Sequence, residues 1–183
     1  MKRPVILLIL SFTLAIGIIG YKISSSTKEK QFTNTALAIM FDSIEEMTGS
    51  SQLVITGEIF EEPAEYERQL TDKVVTEHLY QVRVSDVLHN NLTEEITIGD
   101  ELTVSRALFF KTGNSTYALV DEPESLKPGT YLLFLNGSPV DRNQFTPVSP
   151  NHIYREDRNG DFLNVVKDTD LNKISPSDLS IMK

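Results

Sequence analysis

The hydrophobic positions of this chain change period twice. Val5–Gly20 (VILLILSFTLAIGIIG) is a continuous apolar run, with Lys2 and Arg3 before it and Tyr21 and Lys22 after it. Leu37, Met40, Phe41, Ile44 and Met47 then fall at helical spacing. Asp42-Ser43-Ile44-Glu45 fits a capping box in which Asp42 accepts from the first-turn amides and Glu45 reaches back. That predicts a short helix through about Met47, in competition with one longer helix beginning near Ala36; Thr48-Gly49-Ser50-Ser51 ends either.

From Leu53 the period is two. Leu53, Ile55, Gly57 and Ile59 share one face of a strand and Val54, Thr56 and Glu58 the other, with Gly57 marking a bend or a close approach. Glu61–Asp72 reads as an acidic loop, and Val74–Leu88 as a second strand that points Tyr80, Val82 and Val84 inward. Past Ser85-Asp86 the apolar residues Val87 and Leu88 become adjacent, which predicts a β-bulge. A loop carrying Ile96 and Ile98 leads to a third strand, Leu102–Phe110, and the turn Lys111–Asn114 to Thr116–Val120. Lys127-Pro128-Gly129 suits a type II turn feeding Thr130–Leu135. This last run is apolar on both faces and is expected to be the most buried strand, ended by Asn136-Gly137. Phe145–Val148 is a short strand, and Ile153-Tyr154 and Phe162–Val166 form a hairpin about Asn159-Gly160, a type I′ signal. Ser175-Pro176-Ser177 opens a last helical turn in a polar tail. Short strands with one short helix predict an all-β or α+β barrel rather than βαβ units.

The apolar run fixes what the rest of the chain faces. A secretory signal has a hydrophobic core of about 7–15 residues and a small-residue cleavage site, whereas a spanning helix needs roughly 20 apolar residues. Val5–Gly20 lies between the two, and interfacial Pro4 and Tyr21 with snorkelling Lys2, Arg3 and Lys22 bring it near the short limit of a span. No A-x-A site follows, so residues 1–21 are read as a retained transmembrane anchor, with a signal cleaved near Ser26 as the alternative. Residues 22–35 are a polar tether and 36–183 a single domain. Lys2, Arg3, Lys22, Lys28 and Lys30 against Glu29 give residues 1–30 a charge of +4, so the chain's total of −9 leaves −13 on residues 31–183. The signal-like N-terminus keeps itself in the cytoplasm and places the acidic domain outside.

Charge and composition then exclude chemistry. A domain at −13 repels phosphate backbones, which argues against nucleic acid. With no cysteine in 183 residues there is no disulfide-linked partner, thiol nucleophile, lipidated cysteine or cysteine zinc site.

Four stretches together resemble a known group of domains: SIEEM ahead of LVITGEI, YQVRVSDVLHN, IGDELTV, and LKPGTYLLFL after an acidic loop. The chain resembles, from about Ser43 to Tyr154, an uncharacterised family of secreted or membrane-anchored domains of Gram-positive bacteria. The resemblance implies a small five- to six-stranded OB-like, netrin-like barrel, and brings no catalytic residue with it. The family's usual Lys-Gly after the second strand is replaced here by His89-Asn90-Asn91. The netrin-like outline also suggests protease inhibition, which such modules perform with an N-terminal cysteine that this chain lacks.

Candidate chemistry is sparse. Asp157-Arg158-Asn159-Gly160-Asp161 looks like part of a calcium loop, but the twelfth position is Asp168 rather than glutamate, and the hairpin accounts for Asn-Gly. His78, His89 and His152 are too far apart for a local ligand pair and are expected at the surface or at strand edges. Gly113-Asn114-Ser115-Thr116 lacks the second glycine of a nucleophile elbow. Glu58–Glu62 and Asp121–Glu124 hold the carboxylates for an acid/base pair, read first as solvated loops. No catalytic, metal or cofactor residue is assigned. Two functions remain: a membrane-tethered extracytoplasmic module binding an envelope protein or peptide, and an extracytoplasmic hydrolase built on carboxylates that the fold brings together.

Overall fold

The structure, a computed structural model, describes residues 41–119, 124–138, 141, 143–166, 171–180 and 182. The anchor Val5–Gly20 and the tether 22–35 lie outside these residues. Among the described residues no helix is long and apolar enough to cross a membrane.

The first element is α1 (Ile44–Gly49). Its N-cap is Ser43, whose hydroxyl accepts from the Glu46 amide at 3.1 Å while the Glu46 carboxylate accepts from the Asp42 amide at 3.3 Å. The capping box therefore sits one residue later than Asp42/Glu45. Two overlapping motifs, Asp42…Glu45 and Ser43…Glu46, compete, and the second aligns Met47 with the core. Phe41–Ser43 are not helical, which ends the longer-helix alternative at its described end.

Among the described residues ten strands form one mainly antiparallel sheet: β1 (Leu53–Ile59), β2 (Ala64–Gln69), β3 (Val74–Asn90), β4 (Glu101–Thr112), β5 (Ser115–Ala118), β6 (Gly129–Gly137), β7 (Gln144–Pro147), β8 (Ile153–Glu156), β9 (Phe162–Asn164) and β10 (Lys173–Ile174). A last helical turn, α2 (Pro176–Leu179), starts at the predicted Ser175, with Asp178 completing its capping box. Five strands close on themselves, β1–β3–β4–β7–β6 and back to β1, with β4–β7 the one parallel pair among them. β2 and β5 flank the far halves of β3 and β4 as a four-stranded extension, and β8–β9–β10 continue the sheet from β6.

Alternation along each strand sorts side chains into two cores. Leu53, Ile55 and Ile59 of β1, Tyr80, Val82 and Val84 of β3, and Tyr131, Leu133 and Leu135 of β6 fill the inside of the ring. Val54, Leu132 and Phe134 point the other way and pack with Met47, Tyr154, Phe162 and Ile174. β6 is thus apolar on both faces because it lies between two cores, and Tyr131–Leu135 are all buried, as expected. The inward set on β3 is also as expected.

Parity is kept by bulges. The β1–β3 register skips Leu88 and Ser85, so Val87 turns toward the inner core while Leu88 joins the outer one. Gly57 meets β3 so closely that a Cβ would stand 2.6 Å from Val82 Cγ1 and 3.0 Å from the Arg83 carbonyl oxygen.

Three local expectations are corrected. The acidic segment Glu61–Asp72 contains β2, exposed throughout and paired with β3 along one edge only. Gly129 opens β6 at φ 152° rather than taking the third place of a type II turn, where φ is about +80°. The β8–β9 turn is a three-residue loop: the Gly160 amide donates to the Asp157 carbonyl, the Asp157 amide donates to the Asp161 carbonyl, and Gly160 carries φ 82°. A glycine in that conformation closes a bulged hairpin, not a two-residue type I′ turn.

Candidate functional site

At one end of the ring the segment after β3 and the segment after β6 stand apart over β7. They enclose a groove of about 510 Å³ lined by Leu92, Thr93, Glu94, Ile96, Gly137, Ser138 and Phe145. Leu92, Ile96 and Phe145 make an apolar floor, continuous with the inner core, and Thr93, Glu94 and Ser138 add polar groups. Size and lining are those of a small-ligand or peptide site.

Gln52, just ahead of β1, holds both walls. Its backbone carbonyl accepts from the Asn91 amide at 2.7 Å and its side-chain Oε1 from the Gly137 amide at 2.9 Å, while its own amide donates to Asn136 Oδ1 at 3.0 Å. Asn90 shapes the near wall: its Oδ1 accepts from the Leu92 amide at 2.9 Å and its Nδ2 donates to the Glu94 carbonyl at 3.4 Å. Asp100 fixes the far side of that loop by accepting from both the amide and the hydroxyl of Thr97. Hydrogen bonds between 2.7 and 3.4 Å thus hold the two walls of the groove.

The other end of the ring carries a buried polar network. Glu77, 3% exposed, accepts from both Nε and Nη2 of Arg68 and, through its other oxygen, from Ser105 Oγ at 2.8 Å. On the opposite face of β3, His78 Nδ1 lies 3.3 Å from Tyr80 Oη and 3.2 Å from Ser125 Oγ, and its Nε2 is 3.8 Å from Glu65. Tyr80 Oη accepts from the Leu126 amide at 3.2 Å, so Tyr80 and His78 together link Ser125-Leu126 to β3. Burial lowers the His78 pKa from its ordinary 6.5, with Arg106 acting in the same direction and Glu65 against both.

No family model, curated protein or solved structure matches this chain. The site is therefore read from its own geometry.

The histidine expectation is overturned for two of the three residues. His78 is 9% exposed and His152 is 1% exposed, neither of them a surface imidazole. His152 Nδ1 lies 3.1 Å from Ser149 Oγ, Phe41 meets its ring edge-on at 5.6 Å, and its buried Nε2 has no hydrogen-bond partner among the described residues. Burial alone lowers its pKa, so it is held neutral.

In the Asp157–Asp161 segment the Asp157 carboxylate accepts from the amides of Asn159 at 2.8 Å and Asp161 at 3.0 Å. Those bonds, the Asn159 amide foremost, lower its pKa, and they commit its oxygens to the turn. Among the described residues no group of three His, Asp or Glu could hold a metal ion. The pocket beside this turn sets Glu156 and Asp157 among Arg155 and Arg158, and a lowered pKa is the reverse of what a general acid requires. Asp121–Pro123 of the other carboxylate segment lie outside the described residues.

Gln52, Leu92, Ile96 and Phe145 were not singled out by sequence as site residues. The available signal was Leu92, Ile96 and Ile98, three aliphatic side chains in an otherwise polar loop, of which Ile98 is exposed.

Proposed function

We propose that the chain is a membrane-tethered binding module of the cell exterior, built on an OB-like barrel, whose ligand occupies the Leu92/Ile96/Phe145 groove. The observation that carries this reading is the groove itself, a pre-formed apolar floor with a polar rim whose two walls are clamped by one residue, Gln52. The OB-like assignment is supported by a closed five-stranded ring in which the third and fifth strands pair in parallel, the outline of a Greek-key barrel. The tether is supported by the apolar run Val5–Gly20 with basic residues on both flanks. An envelope protein or a peptide suits a groove with an apolar floor and a polar rim. A charge of −13 on residues 31–183 disfavours nucleic acid.

A photoreactive amino acid at position 96 of the full chain, irradiated in intact cells, tests the reading. A single crosslinked envelope polypeptide, lost on Leu92→Asp, is the expected result. Diffuse crosslinking unchanged by Leu92→Asp would remove the groove from the function. Protease added outside the cells should digest the domain. A mature N-terminus near residue 26 would turn the tethered module into a secreted one.

A further inference from the structure

Strand register sets Glu65 of β2 opposite His78 of β3, and His78 opposite Arg106 of β4, in one row across the sheet. The segment Glu124–Lys127 crosses that row. Arg106 donates to the Glu124 carbonyl at 2.9 Å, and the Leu126 amide donates to Tyr80 Oη at 3.2 Å. Held on both sides, Ser125 Oγ lies 3.2 Å from His78 Nδ1, and His78 Nε2 lies 3.8 Å from the Glu65 carboxylate. A hydroxyl, an imidazole and a carboxylate from three separate segments thus stand in sequence. We propose that Ser125 is the nucleophile of a second, ester-hydrolysing site, with His78 as its general base and Glu65 as a positioning residue, and that it acts on short acyl esters.

The arrangement of donors and acceptors suits the roles. Nε2, which faces Glu65, is the nitrogen that gains by carrying the proton, and Nδ1 is then the acceptor for the Ser125 hydroxyl. Tyr80 Oη, 3.3 Å from the same Nδ1, holds the ring in place. The charged groups that act on the imidazole are Glu65 and Arg106; burial, the largest influence, and Arg106 lower its pKa, and Glu65 raises it. His78 is therefore neutral near pH 7, the form that accepts a proton.

Ser125 is half-buried and lines a pocket of about 150 Å³ in which Leu126, Tyr131 and Val165 present apolar surface. At about 30 Å³ per water the pocket accommodates about five waters, room for an acetyl or propionyl group and too little for a long acyl chain. Ser125 Oγ bonds to the acyl carbon as its proton passes to His78 Nδ1. The imidazolium returns that proton to the departing alkoxide as the ester C–O bond breaks, and a water repeats the sequence to release the carboxylic acid. The amides of Ser125 and Lys127 donate to no described residue and are the backbone donors nearest in sequence for the oxyanion. The site shares no residue with the groove, so the failure of one reading leaves the other standing.

Reaction of the detergent-solubilised full chain with a biotinylated fluorophosphonate, which modifies a serine whose hydroxyl a base activates, tests the proposal. A single adduct mapped to Ser125 by mass spectrometry is expected, absent in Ser125→Ala and formed about a hundredfold more slowly in His78→Gln. Nitrophenyl acetate should compete with the probe and be hydrolysed, and nitrophenyl decanoate should do neither. The labelling rate should rise with pH about a midpoint below 6.5, and Glu65→Gln, which removes the charge that raises the His78 pKa, should move the midpoint further down. Circular dichroism verifies that the variants fold. The Glu65 side chain is 70% exposed, so Glu65→Gln decides the matter even where His78→Gln unfolds. No adduct at Ser125, a wild-type rate in folded His78→Gln, or an unmoved midpoint in Glu65→Gln would overturn the proposal.

Discussion

His152 and Gly57 are each fixed by what surrounds a single atom. His152 is buried neutral, with its Nε2 lacking a partner, and His78 is likewise held below its ordinary pKa. A histidine whose pKa is lower folded than unfolded adds no penalty above the unfolded value, because it is neutral in both states there. As pH falls below about 6.5 the unfolded chain takes up the proton first, and stability drops until the folded pKa is passed. Urea midpoints measured from pH 7.5 to 5 should therefore fall with acid, and His152→Phe should flatten that fall. At Gly57 a methyl group would press on Val82 and on the Arg83 carbonyl. Gly57→Ala should cost about 1–3 kcal/mol by overpacking, against little change for Gly49→Ala, whose Cβ would meet nothing within 4 Å. Neither burial was legible in the sequence. His78 is enclosed by Ser125 and Leu126, far along the chain, and a local pattern does not report such contacts.

Elements with their own internal period were the ones legible in advance. β1 has the bounds that alternation assigns, Leu53–Ile59, and β3, β4 and β6 differ from their expected bounds by one or two residues at their ends. β2 was missed for a physical reason: AEYERQ is exposed on every residue and takes its conformation from pairing with β3, so burial imprints no alternation on it. The position of the helix cap was a contest between two acceptors one residue apart. Ser43→Ala should cost about 1 kcal/mol through loss of the bond to the Glu46 amide, and Asp42→Ala much less; chemical denaturation separates the two. The groove was legible only in its parts, because Leu92, Gly137 and Phe145 come from three segments that the closed ring alone brings together.

For the molecule as a whole, the ring depends on a short closing contact. β7 joins β4 through Thr103↔Gln144 and Val104↔Phe145, while its other edge pairs with β6 through Leu135, Asn136 and Gly137. Phe145 belongs at once to the closure, the inner core and the groove floor. Phe145→Ala should lower stability by about 3–5 kcal/mol and remove crosslinking from position 96 together, a coupling that paired denaturation and crosslinking measurements would reveal.

β6 sits between two cores and has both edges covered: β1 along one, β7 and β8 sharing the other. Tyr-Leu-Leu-Phe-Leu is uncharged, lacks proline and glycine, and has the composition of a segment that stacks on its own copies when an edge is left bare. Both strands that seal its second edge are encoded after it. During synthesis this strand therefore emerges with its second edge bare, and is fully covered only when Ile153–Glu156 has followed it. The polypeptide after Ser138, which supplies only Phe145 to the groove, acts on this reading as the built-in chaperone of the strand before it.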